Sequence, residues 1–229
     1  MEIKLFTTNT NTSGGGVGFR FVGNLEIKKR PILFGTTTSP NQTVGFKFNN
    51  VEATVDSNDD GYFELYRDSD EPITSFGIIT NSDLLKTLDA SNLNTSQINK
   101  MTQMFSGCTS LASLNVSNWD TSQVTEMDSV FYGCSGLTTL NLSNWDISQV
   151  KFINGMFRQC SGLASLDLSH FDIAKAYAFS TWMFYNCSSL KTIKVINEEC
   201  ASNLISRIKY DLKKTATWDS TTKLITIPD

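Results

Sequence analysis

Four cysteines keep a fixed interval in this chain: Cys108, Cys134 and Cys160 lie 26 residues apart, and Cys187 follows after 27. Thiols can ligate zinc, pair as disulfides or act as nucleophiles. Zinc sites want CxxC or histidine partners at short spacing, and neither occurs here. One repeat position held by four small apolar thiols is instead the pattern of a buried ladder, since free cysteine is among the most buried residue types. Disulfides between neighbouring rungs are within reach of that spacing but not required by it. Cys200 makes the count odd and falls outside the interval.

A second chemistry is suggested by Asp56, Asn58, Asp60 and Gly61, which match the first half of a calcium loop. The twelfth position should then carry Glu but carries Arg67, with Glu64 at the ninth. The expectation is therefore no cofactor, with Ca2+ as the one candidate. The single histidine, His170, replaces the Asn of a repeated Ser-Asn-aromatic cassette and is expected at a turn surface. There is no phosphate loop, nucleophile elbow or zinc signature, so no catalytic residue is assigned and the chain is not expected to be an enzyme.

The elements that position these residues come from a repeat. Leu111-Ala-Ser-Leu-Asn-Val-Ser-Asn-Trp-Asp120 returns at 137–146 and, more loosely, at 163–172. A period in the twenties with an LxxLxL core is the mark of a leucine-rich-repeat solenoid. Leu85-Leu88-Ala90, Leu111-Leu114-Val116, Leu137-Leu140-Leu142, Leu163-Leu166-Leu168 and Leu190-Ile193-Val195 then give five short parallel strands. Downstream of each, Val124, Met127, Val130, Phe131 and Cys134, and their equivalents, have helical spacing. Asn94-Thr-Ser-Gln97, Asp120-Thr-Ser-Gln123 and Asp146-Ile-Ser-Gln149 resemble capping boxes ahead of those helices. The fourth unit departs from this pattern at Asp172-Ile-Ala-Lys175 and holds one extra residue, which makes it the expected site of a bulge.

At the ninth repeat position, where Asn or Cys is usual, stand Leu93, Trp119, Trp145 and Phe171. These rings can stack inward as an aromatic ladder or face outward as a strip that binds sugar or protein. Repetition in register with core residues favours the inward arrangement. The exposed strand face is expected to carry Asp89, Asn115, Asn141, Asp167 and Lys194 in one row. A second row has Ser91, Ser117, Ser143 and Ser169, and a third Thr87, Ser113, Thr139, Ser165 and Thr192. Asp89, Asn115, Asn141, Asp167, Ser117 and Ser143 are its candidate binding residues. This face has none of the Trp, Tyr or Arg that anchor protein interfaces.

The run Asn115-Val-Ser-Asn-Trp-Asp-Thr-Ser-Gln-Val-Thr-Glu-Met-Asp-Ser-Val-Phe-Tyr-Gly-Cys-Ser-Gly-Leu137 resembles the BspA-type leucine-rich-repeat surface proteins of bacteria, protozoa and phages. The likeness covers roughly residues 83–196. It implies an outward-facing binding or adhesive module and brings no catalytic residues.

The flanks differ. Ile3–Phe6, Val17–Val22, Thr43–Phe48, Val51–Val55 and Tyr62–Tyr66 alternate or are rich in β-branched and aromatic residues, separated by turn clusters. After the repeats, Ala201, Leu204, Ile205, Ile208 and Leu212 mark one amphipathic helix, and Trp218 with 224–227 a hairpin. The expected architecture is α+β. An N-terminal all-β sandwich-like domain (1–80) leads into a solenoid of strand plus short helix (81–196), closed by a helix-hairpin cap (197–229).

Charged residues make up 18% of the 229, and the net charge is −4. Nucleic acid is not an expected partner, because no basic stripe is present. No apolar run approaches the roughly 18 residues of a membrane span, and the start lacks the apolar segment of a signal peptide. These features favour a bacteriophage virion component at a tail or fibre, with a secreted adhesin whose signal has been removed as the alternative. Expected partners are other virion or surface-assembly proteins and a protein or glycan receptor, with a homotrimer as one form of assembly.

Overall fold

The computed structural model describes residues 31–49, 51–66, 72–80, 82–173 and 181–229. Eleven strands and one α-helix occur among them, plus a 3-10 turn at Ser82–Leu84. The strands expected at 43–48, 51–55 and 62–66 are present as β2 (Thr43–Phe48), β3 (Val51–Asp56) and β4 (Tyr62–Leu65). Two further strands, β1 (Leu33–Thr37) and β5 (Phe76–Thr80), accompany them. The expected strands at 3–6 and 17–22 lie outside the described residues.

β5, β2 and β3 form an antiparallel sheet in the order β3-β2-β5. β1 pairs antiparallel with β4 on one side and with β6 (Leu85–Asp89), the first repeat strand, on the other. β6 then pairs in parallel with β7 (Ser113–Asn115). The β1–β6 approach needs Gly35, because a Cβ there would stand 2.0 Å from the Thr87 carbonyl oxygen. One sheet thus runs unbroken from the N-terminal strands into the repeats, and it blocks the edge of β6 that would otherwise be a template for another strand. At the far end β8 (Ser165–Leu168) pairs in parallel with β9 (Thr192–Val195). β11 (Leu224–Thr226), joined to β10 (Thr217–Asp219), closes the edge of β9.

Two expectations fail inside the repeats. The strand expected at 137–142 does not form, so the repeat strands belong to two separate four-stranded sheets. More consequentially, the described residues of the repeats contain no α-helix. The segments 101–107, 127–133 and 153–159 are successive turns, and α1 (Glu198–Leu212) is the one α-helix among the described residues. The α+β architecture of strand plus short helix is therefore replaced by a mostly β chain of strands and turns.

Hydrogen bonding gives the reason. A helix would direct each amide to its own carbonyl four residues back. Here alternate amides point into the next repeat. Met101 N donates to Glu126 O (2.8 Å), Gln103 N to Asp128 O (2.9 Å), Phe105 N to Val130 O (2.9 Å) and Gly107 N to Tyr132 O (2.8 Å). The same register continues through Met127, Ser129, Phe131 and Gly133, then Gly155, Phe157 and Gln159. Met104 N and Ser106 N turn back to Met101 O and Gln103 O, keeping each turn tight. Such a path needs left-handed residues at two places per repeat. Gln103, Ser129, Gly155 and Trp182 occupy one, with φ of 59°, 56°, 60° and 66°; Gly107, Gly133, Gln159 and Asn186 occupy the other.

The expected capping boxes are Asx turns: the side-chain oxygens of Asn94, Asp120 and Asp146 accept from the amides of Ser96, Ser122 and Ser148, two residues on. Two buried threonines splice the repeats. Thr95 Oγ1 donates to Asp120 O and accepts from Asp120 N; Thr121 does the same with Asp146.

Side chains stack along the same direction. Phe105, Phe131, Phe157 and Phe184 form a column with centroids 5.6, 5.8 and 6.1 Å apart and nearly parallel planes. Three of the cysteine thiols donate to a phenylalanine carbonyl one repeat back: Cys134 to Phe105 (3.1 Å), Cys160 to Phe131 (3.0 Å) and Cys187 to Phe157 (2.9 Å). All five cysteines are free and buried. Burial pushes the Cys187 thiol up to about 12 and Cys160 higher, so neither is a nucleophile at neutral pH. Phe76 ends the column, edge-on to Phe105 at 6.2 Å.

At the other end Phe184 N has no further repeat to meet. It donates to Asp211 Oδ2 of α1 at 3.0 Å, so a carboxylate takes the place of the missing carbonyl. Burial raises the Asp211 pKa, against the pull of the Phe184 amide and Arg207. A raised folded pKa means that Asp211 stabilises the fold most when protonated, below about pH 4, and loses that contribution as pH rises through the folded value. Asp211→Ala should destabilise by about 1–3 kcal/mol in urea unfolding, because a buried amide loses its acceptor. Asp211→Asn keeps an acceptor, and its stability relative to the unsubstituted chain should improve as pH rises from about 4.

Candidate functional site

Most of the polar groups in the rows expected on the strand face are engaged with one another. Asp89 Oδ1 accepts from the Ser91 amide (2.9 Å) and hydroxyl (2.6 Å), and Asp89 Oδ2 from Asn115 Nδ2 (2.8 Å). Asp167 binds Ser169 in the same way and pairs with Lys194 at 3.2 Å. Asn115 and Asn141 accept from the amides of Ser117 and Ser143. Burial works to raise the Asp89 pKa, but Ser91 and Asn115 hold its carboxyl below the usual range; Ser169 and Lys194 do the same at Asp167. This face is a self-satisfied polar ladder that also forms the Asx turns of the strand ends.

The outward aromatic strip is not formed. Trp119, Trp145 and Phe171 are each only 2% exposed, and the two indoles stack at 6.0 Å and 4°. Trp119 also stacks on Phe105 (5.7 Å), joining the two columns, and its Nε1 donates to Ala90 O at 2.8 Å. The suggested calcium loop is otherwise engaged. Asn58 Oδ1 accepts from the amides of Asp60 (3.0 Å) and Tyr62 (2.9 Å), and Asp56 accepts from the Thr43 hydroxyl. Glu64 accepts from the phenols of Tyr62 and Tyr66. Among the described residues no cluster of three or more His, Cys, Asp or Glu is placed to hold a metal ion.

The chemistry gathers instead on the opposite, turn face. The ladder register brings two rows of side chains side by side there. One holds Gln103, Ser129, Gly155 and Trp182, all in left-handed backbone; the other holds Ser106, Tyr132, Arg158 and Tyr185. All of these but Tyr185, together with Asn154 and Thr181, line a groove of about 330 Å3. It exists because Gly155 leaves the floor bare where its neighbours carry Ser and Trp. A Cβ on Gly155 would already stand 3.3 Å from Ser129 Oγ.

Arg158 sits at the centre. Its guanidinium carbon lies 5.6 Å from the Tyr132 ring, 5.6 Å from Trp182 and 5.3 Å from Tyr185, within cation–π reach of all three. Trp182 is 41% exposed and meets Tyr185 (5.1 Å) and Tyr210 (6.1 Å) edge-on. Left-handed backbone is expected for Gly and tolerated by Asn; for a tryptophan it is an outlier that the surroundings must hold in place. Arg158 Nε is buried without a hydrogen-bond partner. Asn154 is committed, its Nδ2 to Asp128 (2.8 Å) and its Oδ1 to Thr181. Among the described residues the side chains of Gln103, Ser106 and Ser129 have no hydrogen-bond partner. Reading the repeats for what they share hid this site, because its residues stand where they differ.

The family described as "Mycoplasma protein of unknown function, DUF285" matches residues 76–197, just over half of the chain. No curated protein and no solved structure matches it.

The two kinds of tryptophan should separate in unfolding experiments. Trp119→Ala should cost about 3–5 kcal/mol, as expected for a fully buried ring. Trp182→Gly should cost less than about 1 kcal/mol, because relief of the left-handed strain offsets its partial contacts. Equal losses in chemical denaturation would contradict this assignment of core and site.

Proposed function

This chain belongs to the DUF285 family, and on that premise we propose that its repeats are a recognition module that binds through the turn face. The observation that carries this is the exposed Trp182 held in left-handed backbone beside Arg158, Tyr132, Tyr185 and Tyr210. Trp, Tyr and Arg are the residue types in which binding energy concentrates, and strain that persists at an exposed ring points to use. The repeat stack supplies rigidity, so little ordering is needed on binding. The BspA-type likeness of residues 83–196 supports an outward-facing role. The low charge and hydroxyl-rich surface support display on a virion tail or fibre or on a cell surface.

The test uses the whole chain, biotinylated and clustered on labelled streptavidin so that weak sites act together. Saturable binding to bacterial and animal cell surfaces is expected. Arg158→Ala with Trp182→Ala should abolish it, and Asn141→Ala with Asp167→Ala on the strand face should leave it intact. Loss only with the strand-face pair, or no saturable binding at all, would overturn the proposal.

A further inference from the structure

We infer that the turn-face groove is a subsite for a saccharide bearing a carboxylate, an assignment that rests on the recognition role proposed above. Four features of the groove converge on that chemistry. The first is one cation that no described carboxylate neutralises. No carboxylate among the described residues pairs with Arg158, its Nε has no hydrogen-bond partner, and the nearby Asp128 is committed to Asn154. A guanidinium fork matches a carboxylate through two parallel hydrogen bonds. The rings of Tyr132, Trp182 and Tyr185 stand around the guanidinium at 5.6, 5.6 and 5.3 Å.

The second feature is a partly exposed aromatic platform, Trp182, whose electron-rich face suits the weakly positive C–H face of a pyranose ring. The third is a set of short neutral groups, the Gln103 amide and the Ser106 and Ser129 hydroxyls, which line the same groove and can each donate and accept. An apolar peptide anchor would bury these groups without partners, whereas sugar hydroxyls would satisfy them. The fourth is size. At about 330 Å3 the space lies at the small end of ligand pockets, fitting one or two rings rather than a folded surface.

Gly155 is the discriminating position. Asn tolerates left-handed backbone, so Gly155→Asn should fill the floor while leaving the turn intact. The chain would be titrated by saturation-transfer NMR and calorimetry against N-acetylneuraminyl-lactose and a glucuronic-acid disaccharide. The methyl esters of both, lactose and an Asp/Glu-rich peptide serve as comparisons.

The acidic sugars should bind, and their esters roughly tenfold or more weakly, the effect of losing a charge-assisted pair. Arg158→Lys, which keeps the charge but not the fork, should weaken the acids and leave the esters unchanged. Gly155→Asn should abolish all saccharide binding while the chain still melts in one cooperative transition. If a variant fails to fold, the acid-to-ester ratio on the unsubstituted chain still decides. Equal binding of acids and esters would overturn the inference, as would tighter binding of the acidic peptide. Should no saccharide bind while cell-surface binding stays sensitive to Arg158 and Trp182, the saccharide assignment falls and the recognition role stands. If cell-surface binding is absent too, both fall.

Discussion

Everything in this molecule depends on the direction in which the turn-segment amides point. In 101–107 and its equivalents, every second N–H leaves its own repeat and meets a carbonyl of the next. That choice fixes the spacing of the repeats, aligns Phe105, Phe131, Phe157 and Phe184 in one column and brings the thiols of Cys134, Cys160 and Cys187 to the carbonyl one repeat back. It also explains the ends. A ladder that donates forward leaves amides unmet at the last repeat, and the Asp211 carboxylate of α1 receives that of Phe184. At the first repeat, β5 supplies a donor to Met104 O through Ile78 N (3.4 Å). A buried backbone group without a partner is costly, so both ends need such closures.

The same ladder builds the turn face. Its left-handed positions turn the chain sharply enough to present two rows of side chains side by side. Consensus residues hold the core, and the rows are free to vary. Variation at Gly155, Arg158 and Trp182 opens a groove, places a cation in it and walls it with rings. On the strand face, by contrast, Asp89, Asn115 and Asp167 meet their hydrogen-bonding needs locally, which leaves them little to offer a ligand.

Much of the core was legible in the sequence because burial follows spacing. Val124, Met127, Val130, Phe131 and Cys134 are all buried, as their pattern required. The same pattern misled about conformation. Apolar residues three and four apart line one side of a helix, but they also line a run of tight turns, and spacing alone does not separate the two. Asp120-Thr-Ser-Gln123 was ambiguous in the same way, since an Asp two residues before Ser serves an Asx turn as well as a cap. Gly155, in the middle of the supposed helix at 150–160, was the available signal, because glycine there marks φ above zero. The groove was illegible for another reason: it depends on the lateral neighbours of Arg158, and those follow from turn register rather than helical geometry. The interrupted sheet at 137–142 has no counterpart in the sequence, where that repeat is among the most regular.

The most direct test is to observe the ladder itself, by measuring scalar couplings across hydrogen bonds in the deuterated, 15N,13C-labelled chain. Couplings should connect the amide of Phe105 to the carbonyl of Val130, Phe131 to Met156 and Phe157 to Met183. Couplings from these amides to carbonyls four residues earlier in their own repeats would show helices there. They would contradict both the ladder and the groove built on it.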